Sequence, residues 1–294
     1  MRHVTVFSLL SLAVVTITIP SQSQIIQLGN STSINAYHDG VMIGQVDTVV
    51  QGVRGLYGFT RRPGQPMKTY TFSSGVTTSL MDQKEVPGKG ECTLGVFTSA
   101  YGFNLQGFLS CPQGTQQYDF GDNYTIPRAL LKNGTVVGYY DVRVKSVGFI
   151  IDSSGFHTYQ VPGADQTEIL TANDDGRMAG RYLTPDGKYH GFILSVDGTV
   201  TTVDKPGAAN SAVVSLNSQC ALGFYGNQNI QSGFLHCATG GYKPIPLGLV
   251  TWPTVLLEDG TIAGYFEWTG GITLASSGEQ LKICLDQETE LHGG

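Results

Sequence analysis

The chain has 294 residues, of which 17 are basic and 23 acidic, and its net charge is −6. This excess of acid argues against nucleic acid and anionic membranes as partners, because both require a basic face. Its 39 glycines, interspersed with Tyr, Phe, Val and Thr, predict an all-β fold, and a chain of this length can form one large β domain.

The first 23 residues have the pattern of an export signal. Arg2 precedes an apolar run at 4–19 that is short for a membrane span, and Pro20 ends that run. Small residues place the cleavage after Ser23, with 24–30 as a lead-in. Removal of Arg2 leaves 16 basic against 23 acidic residues. We therefore expect a secreted monomer, extracellular or periplasmic, with no membrane insertion.

Two glycine signatures divide residues 31–286 into six repeats. The first is a glycine followed closely by aromatics, which from its second copy returns every 41 to 43 residues: Gly44, Gly95, Gly138, Gly180, Gly223 and Gly264. The second is a trailing pair: Gly58-Phe59, Gly107-Phe108, Gly148-Phe149, Gly191-Phe192, Gly233-Phe234 and a weaker Gly271-Ile272. Each repeat has room for four short strands. The sequence therefore predicts a six-bladed β-propeller with four-stranded antiparallel blades, followed by a tail at 287–294.

The fourth repeat shows the predicted unit most clearly. Strand A is predicted at 167–173, strand B at about 177–183 and strand C at about 190–196, with strand D ending near Lys205. Asp175-Gly176 supplies the positive φ that a two-residue A–B hairpin needs. Ahead of the first repeat, the apolar segment Ile25 to Leu28 is expected to add an edge strand that helps to close the ring.

The repeated aromatics are interpreted as core residues. Each lies two residues after the first glycine and therefore on the same face of strand B: Phe97, Tyr140, Tyr182, Tyr225 and Phe266. The glycine is predicted to leave a slot for a ring from the neighbouring blade, and the Gly-Phe rings would form a second layer of packing.

The repeat pattern resembles the extracellular HAF-repeat proteins of bacteria. The resemblance rests on Asn173-Asp174-Asp175-Gly176, Gly180-Arg181-Tyr182, His190-Gly191-Phe192, Asp197-Gly198 and Pro206-Gly207-Ala208. It covers most of residues 31–286 and implies export and a propeller-like fold, but no chemistry. The chain departs from the family in keeping the repeat histidine only at His190, with Gly191 where the family has alanine.

Four cysteines occupy equivalent positions in repeats two and five. Cys92 and Cys220 lie three residues before the first glycine, and Cys111 and Cys237 four residues after the second. They are predicted to form disulfides Cys92–Cys111 and Cys220–Cys237, the alternative being four reduced buried thiols. Cys284 is expected on strand D of the last blade as a buried free thiol. No metal site is predicted, since no His or second Cys has ligand spacing.

The B–C and D–A connections vary most, and both emerge on one face around the channel mouth, where a site is expected. The candidate ligand-binding residues on this face are Trp252, Trp268, Glu168, Asp165, His190, Arg143, Arg54 and Tyr101. The tryptophans would suit stacking on sugar rings, or they cap the core. His190, at a repeat position, is expected to make a structural hydrogen bond.

No nucleophile elbow, zinc-protease motif, phosphate loop or dinucleotide fingerprint is present in the sequence, and no cofactor is predicted. The favoured hypothesis is a non-enzymatic extracellular module that binds a glycan or a protein. The alternative is a hydrolase or lyase acting on a carbohydrate at the channel mouth, with Glu168, Asp165, His190 and Arg143 as participants. A structural surface protein is the third reading.

Overall fold

The computed structural model describes residues 24–26, 32–72, 77–98, 104–122, 124–227, 230–238, 241–245, 250–267 and 279–284. The described residues form 24 β-strands in six four-stranded sheets, and every strand pair is antiparallel. None of them forms a helix that could cross a membrane.

The strands are numbered in chain order. The first is β1 (Gln24–Ile26). The next two sheets are β2 (Thr32–His38), β3 (Val41–Val50), β4 (Val53–Arg61), β5 (Lys68–Tyr70), and β6 (Thr78–Val86), β7 (Gly90–Thr98), β8 (Leu105–Cys111), β9 (Gly114–Tyr118). Two more are β10 (Thr125–Leu130), β11 (Val136–Val142), β12 (Lys145–Asp152), β13 (Gly155–Tyr159), and β14 (Gln166–Ala172), β15 (Met178–Leu183), β16 (Tyr189–Leu194), β17 (Val200–Thr202). The last strands are β18 (Asn210–Leu216), β19 (Cys220–Asn227), β20 (Ile230–Cys237), β21 (Gly241–Ile245), and β22 (Val250–Leu256), β23 (Thr261–Glu267), β24 (Glu279–Cys284).

Five sheets are blades of four consecutive strands, and strands A to D of each follow one another as a meander. Strand A of each blade contacts strand A of the next, and β22 contacts β2, so these strands surround a central channel. The predicted β-propeller with four-stranded antiparallel blades is therefore confirmed. In blade four the predicted strands A, B and C agree with β14, β15 and β16 to within about two residues.

The A–B turn of blade four differs from the predicted two-residue hairpin. Gly176 has the expected positive φ of 87°. However, Asn173 and Arg177 form the closing hydrogen bond, so three residues lie between them. This is a three-residue hairpin loop that ends on a left-handed glycine.

The last repeat differs from the prediction of six equivalent meanders. Its sheet has the order β1-β24-β23-β22, so the repeat supplies only three consecutive strands and the N-terminal strand adds the fourth. Gln24 pairs with Lys282 and Ile26 with Gln280. The expected closing edge strand is confirmed for 24–26, and the rest of the predicted segment lies outside the described residues. Pairing the two chain ends in one sheet also covers an edge of β24 that would otherwise be open.

Cys284 is consequently on strand C of this sheet, not on strand D as predicted. It lies opposite Thr261, at the position that Cys237 occupies opposite Cys220 in blade five. A disulfide at this register would need a second cysteine where Thr261 stands. The Cys284 side chain lies outside the described part of the structure.

A β-bulge occurs at the same place in strand A of every sheet. The register shifts between Ile34 and Ala36, Leu80 and Asp82, Pro127 and Ala129, Ile169 and Thr171, Val213 and Ser215, and Pro253 and Val255. Each bulge leaves one extra, unpaired residue in strand A, such as Leu170 between Ile169 and Thr171. The first glycine of each repeat pairs with the strand-A residue just before this extra residue. A Cβ on Gly180 would overlap the carbonyl oxygen of Glu168, and one on Gly44 that of Ser33. The repeat glycine is thus required by the bulge.

The first glycine was predicted to leave room for a side chain of the neighbouring blade, but in the structure the second glycine of the repeat has this role. The first glycine faces the phenylalanine of its own blade, as Gly95 faces Phe108, rather than a ring from a neighbour. The second glycine lies against the next blade, where a Cβ on Gly58 would come within 2.7 Å of Leu80. The Gly-Phe rings of the five continuous blades are at most 4% exposed, which confirms them as core.

A buried hydroxyl at the start of strand A connects each of blades two to five to the segment before it. The side-chain oxygens of Thr78, Thr125, Thr167 and Ser211 accept hydrogen bonds from the backbone N–H groups of Phe72, Phe120, Val161 and Lys205. Because these groups are buried, the bonds offset the cost of removing the backbone from water. They also hold the D–A connections in place.

Both predicted disulfides are present. Cys92–Cys111 and Cys220–Cys237 each join directly opposed residues of strands B and C, with Cα–Cα distances of 4.3 and 4.0 Å. They close segments with sequence separations of 19 and 17 residues. In the chain-entropy model each stabilises the fold by about 3 kcal/mol.

Candidate binding site

The connections of the propeller lie at two ends. The B–C hairpins and D–A connections form one end, called the B–C face, and the A–B and C–D turns form the other, called the A–B face. Most predicted ligand residues belong to the B–C face. Trp252 lies on β22 opposite Tyr265, with its side chain outside the described part of the structure. Trp268 and Tyr101 also lie outside the described residues.

Glu168 is held by Arg181, its partner across strands A and B of blade four. Arg181 donates from Nε to Oε2 at 2.8 Å and from Nη2 to Oε1 at 3.0 Å, and Glu168 is only 5% exposed. Burial by itself lowers the pKa of Arg181, but the charge and hydrogen bonds of Glu168 outweigh burial and raise it. The guanidinium also lies over the Tyr189 ring at 4.4 Å. Both carboxylate oxygens are therefore occupied, which favours a structural role.

The other predicted acid–base residues have partners of their own. Asp165 lies 3.6 Å from Lys145 in a solvent-exposed pair, which contributes little stability. His190 Nδ1 lies 2.6 Å from an oxygen of Asp204, whose other oxygen accepts the N–H of Gly191. Neither contact involves Glu168. Within the described residues, these side chains form separate pairs and do not converge on one reacting centre.

Exposed apolar side chains concentrate on the B–C face. Of the eight large hydrophobic residues exposed in the described part of the chain, six lie on this face: Val49, Val53, Leu56, Tyr124, Val142 and Val144. The other two are Phe156 and Val196. Single exposed hydrophobic residues are ordinary, but their concentration at one end of the scaffold makes the B–C face the candidate surface for a ligand.

The blade-one B–C hairpin has the longest B–C ladder among the described residues. Its ladder ends at Val50, six positions past the repeat Gly44, whereas the equivalent ladders end two to four positions past their glycines. Two to four extra residues extend a strand by roughly 7–14 Å. At the tip, Val49 is 59% and Val53 60% exposed. Next to them Arg54 forms a two-bonded pair with Asp47, and this bond lowers the pKa of that carboxyl.

The blade-three B–C hairpin has a strained tip. Arg143 and Val144 have φ angles of 48° and 62°, a left-handed conformation that disfavours a β-branched side chain. Asp122 holds the turn by accepting the N–H of Arg143 at 2.7 Å. Val144 is 84% exposed, so packing within the protein does not account for it. The strain and the exposure together make this tip a candidate contact point for a ligand.

A second candidate site, which the sequence reasoning missed, opens toward the A–B face. A cavity of about 210 Å³ lies on the channel axis and is lined by all six A strands. The extra residues of the six bulges line it: Asn35, Met81, Arg128, Leu170, Val214 and Thr254. The register shifts direct these six side chains toward the axis, where they form a ring. The sequence reasoning missed this ring because the repeat pattern does not reveal register shifts.

Asp82 is the most buried carboxylate of this cavity, at 3% exposure. His38 Nε2 lies 2.7 Å from its Oδ1, and the Leu130 N–H donates to its Oδ2 at 2.9 Å. Burial by itself raises the pKa of Asp82, but His38, Lys84 and the Leu130 N–H together outweigh burial and lower it. The carboxylate therefore ties blade two to blades one and three while it is ionised.

Because the pKa of Asp82 is lowered in the folded state, its ionised form stabilises the fold above the unfolded pKa of about 3.9. That contribution is lost as the pH falls through the folded pKa. We expect Asp82→Asn to lower the free energy of unfolding by about 1–3 kcal/mol near pH 5 and by much less near pH 3. Urea titrations at the two pH values measure this difference. Asp165→Asn, in an exposed pair, is the control and should change little. An Asp82→Asn effect that is equal at both pH values would contradict the expectation.

These features define a disulfide-bonded β-propeller. No family model and no curated relative matches the chain. It is similar to a streptogramin B lyase, at 12% identity over 89% of this chain and 96% of that chain, with a TM-score of 0.46. It is also similar to virginiamycin B lyase from Staphylococcus aureus, at 11% identity over 90% and 99%, with a TM-score of 0.49. A triple arginine-to-alanine mutant of AofleA from Arthrobotrys oligospora has 12% identity over 90% and 91%, with a TM-score of 0.51. At these identities the likeness concerns the fold alone.

Proposed function

We propose that this chain is an exported β-propeller that binds an extracellular protein through its B–C face. The observation that carries the proposal is the long blade-one hairpin, which exposes Val49 and Val53 at its tip. Export is supported by the leader pattern of the sequence and by two disulfides, which form in oxidising compartments.

The chemistry of the two hairpin tips favours a protein ligand. Each tip places an exposed valine next to an arginine, Val53 beside Arg54 and Val144 beside Arg143. Aliphatic surface is stabilised by burial against other apolar surface, at about 1–2 kcal/mol for each valine. Arginine is enriched at protein interfaces and pairs with carboxylates. Arg54 is already bonded to Asp47, so Arg143 is the tip arginine proposed to meet a carboxylate of the partner. The expected partner surface is therefore apolar with acidic groups at its edge.

We also propose that the chain is a six-bladed propeller of the HAF-repeat type. The sixth blade would be the sheet that joins β22–β24 to β1, and its support is the contact of β2 with β22, β23 and β24 across the ring. A ring closed by both chain ends is a rigid support for loops. The mature chain is proposed to act as a monomer.

A glycan is the second candidate ligand, favoured by two tryptophans, Trp252 and Trp268, in one repeat. The carbohydrate hydrolase or lyase alternative has less support. It requires Glu168 or His190 to leave the partner that each now holds.

The test is affinity capture of extracellular proteins on the immobilised mature chain, quantified by mass spectrometry. We expect at least one protein to be enriched on the wild type and lost on Val53→Glu, because a charge at the tip cannot be buried in an apolar contact. The matched control is Val196→Glu, since Val196 is 73% exposed but lies at a C–D turn on the opposite face. A captured set that is identical for both variants would overturn the proposal.

Two further comparisons separate the alternatives. Val144→Gly relieves a left-handed conformation, so it should leave the fold as stable or up to about 2 kcal/mol more stable while weakening capture. A glycan array probed with wild type and Trp252→Ala/Trp268→Ala tests the glycan reading. A glycan signal that is lost in the tryptophan variant and kept in Val53→Glu would move the ligand to the carbohydrate class.

A further inference from the structure

Arg128 is a cation inside the channel without a strong partner. It is the extra residue of the blade-three bulge, and it is partly buried. Its Nε lies 3.5 Å from the carbonyl oxygen of Leu170 in blade four, and its Nη1 lies 4.0 Å from the sulfur of Met81 in blade two. Both contacts are at the limit of hydrogen bonding. No ion pair between described residues includes Arg128.

The carboxylates deepest in the cavity are already engaged and do not compete for this guanidinium. Asp82 is bound by His38 and the Leu130 N–H. Asp174 has Lys84 at 2.9 Å and Lys132 at 3.4 Å, and these contacts outweigh burial and lower its pKa. At the mouth, Glu258 accepts the Ser218 N–H with both oxygens. Arg128 therefore retains donors that no described carboxylate uses.

The surroundings of Arg128 define the kind of ligand. Its neighbours in the bulge ring are Met81 and Leu170, followed by Val214, so the guanidinium lies beside an apolar wall. A planar guanidinium binds a carboxylate through two parallel hydrogen bonds. We propose that the channel cavity binds a small carboxylate with a short aliphatic body, its charged end on Arg128 and its apolar end against Met81, Leu170 and Val214.

The size and place of the cavity limit this ligand. At about 210 Å³ it is smaller than the pockets that hold drug-sized molecules. A molecule of a few carbon atoms fits, whereas a polymer does not. The site opens toward the A–B face, away from the hairpin tips on which the proposed function rests. Failure of either proposal would leave the other unaffected.

The test is calorimetric titration of the mature chain with butyrate, with its neutral isostere butyramide and with inorganic phosphate. We expect butyrate to bind with a Kd of about 1 mM or tighter, and butyramide and phosphate to bind at least about tenfold more weakly. Arg128→Gln should weaken butyrate by about tenfold or more. Arg62→Gln, which removes the same charge from an exposed pair with Glu91, should bind butyrate like the wild type.

Three results would overturn the proposal: no binding of butyrate, equal binding of butyramide, or unchanged binding by Arg128→Gln. Tighter binding of phosphate would also overturn it, since phosphate has no apolar body for the wall. The comparison of butyrate with butyramide uses only the wild-type chain. It therefore decides the question even if Arg128→Gln does not fold.

Discussion

Replacement of Gly180 by alanine is expected to lower the free energy of unfolding by about 3 kcal/mol or more, because a methyl group has no room at the blade-four bulge. The new Cβ would overlap the carbonyl oxygen of Glu168 and lie 3.0 Å from the backbone nitrogen of Leu170. Both obstacles are backbone atoms of a buried strand, so they cannot move aside as a flexible side chain can. Urea denaturation followed by circular dichroism measures the change.

The matched control is Gly55→Ala on β4. A Cβ at Gly55 would meet its nearest atom, on the Tyr57 ring, at the ordinary distance of 3.4 Å. We expect no loss of stability and a possible gain of about 0.4–1 kcal/mol, since alanine reduces the entropy of the unfolded chain. Equal effects of the two substitutions would show that the repeat glycine is not required by the bulge.

Arg181→Leu is expected to lower the free energy of unfolding by about 3–5 kcal/mol, because it leaves the buried Glu168 carboxylate without its two-bonded partner. The double variant Arg181→Leu/Glu168→Leu removes both charges and should recover most of that loss. Denaturation of the wild type and the three variants, with Glu168→Leu completing the double-mutant cycle, gives the coupling energy.

The control for this pair is Arg54→Leu. Arg54 forms a similar two-bonded pair with Asp47, but its side chain is 65% exposed, so its loss should have little effect on the free energy of unfolding. If Arg181→Leu were as mild as Arg54→Leu, Glu168 would not depend on this partner. The structural role assigned to Glu168 would then be wrong, and Glu168 would again be a candidate ligand-binding residue.

Cysteine positions illustrate what could be predicted well. The offsets of Cys220 and Cys237 from their repeat glycines place them directly opposite one another on antiparallel strands, and the structure pairs them. Position within a regular hairpin follows from counting residues, because a strand advances by a constant rise and alternates its faces. The same counting fails for Cys284. Its sheet takes an outer strand from the N-terminus, 24–26, which is far away in sequence.

Side-chain partners illustrate what could not be predicted. From the sequence, Glu168 was a candidate ligand-binding residue and a participant in the hydrolase or lyase alternative, and only the folded hairpin brings it to Arg181. Arg128 could not be predicted as a site residue from the sequence, because nothing in the repeat marks the residue that a bulge displaces toward the channel axis. That no described carboxylate pairs with Arg128 depends on where residues of other blades lie, and contacts between blades do not repeat with the period of the sequence.

The sequence by itself determined the all-β class, the repeating blade and its glycines, the two disulfides and the expectation of an exported chain. These properties arise from local alternation, turn chemistry and fixed spacing, which are written in consecutive residues. Tertiary structure alone decided how the last sheet is completed, which candidate residues are neutralised by partners and where the channel cavity lies. Those outcomes depend on bulges and on contacts between residues on different strands, from Glu168 with Arg181, 13 positions apart, to Asp82 with Leu130, 48 positions apart, and no local pattern specifies them.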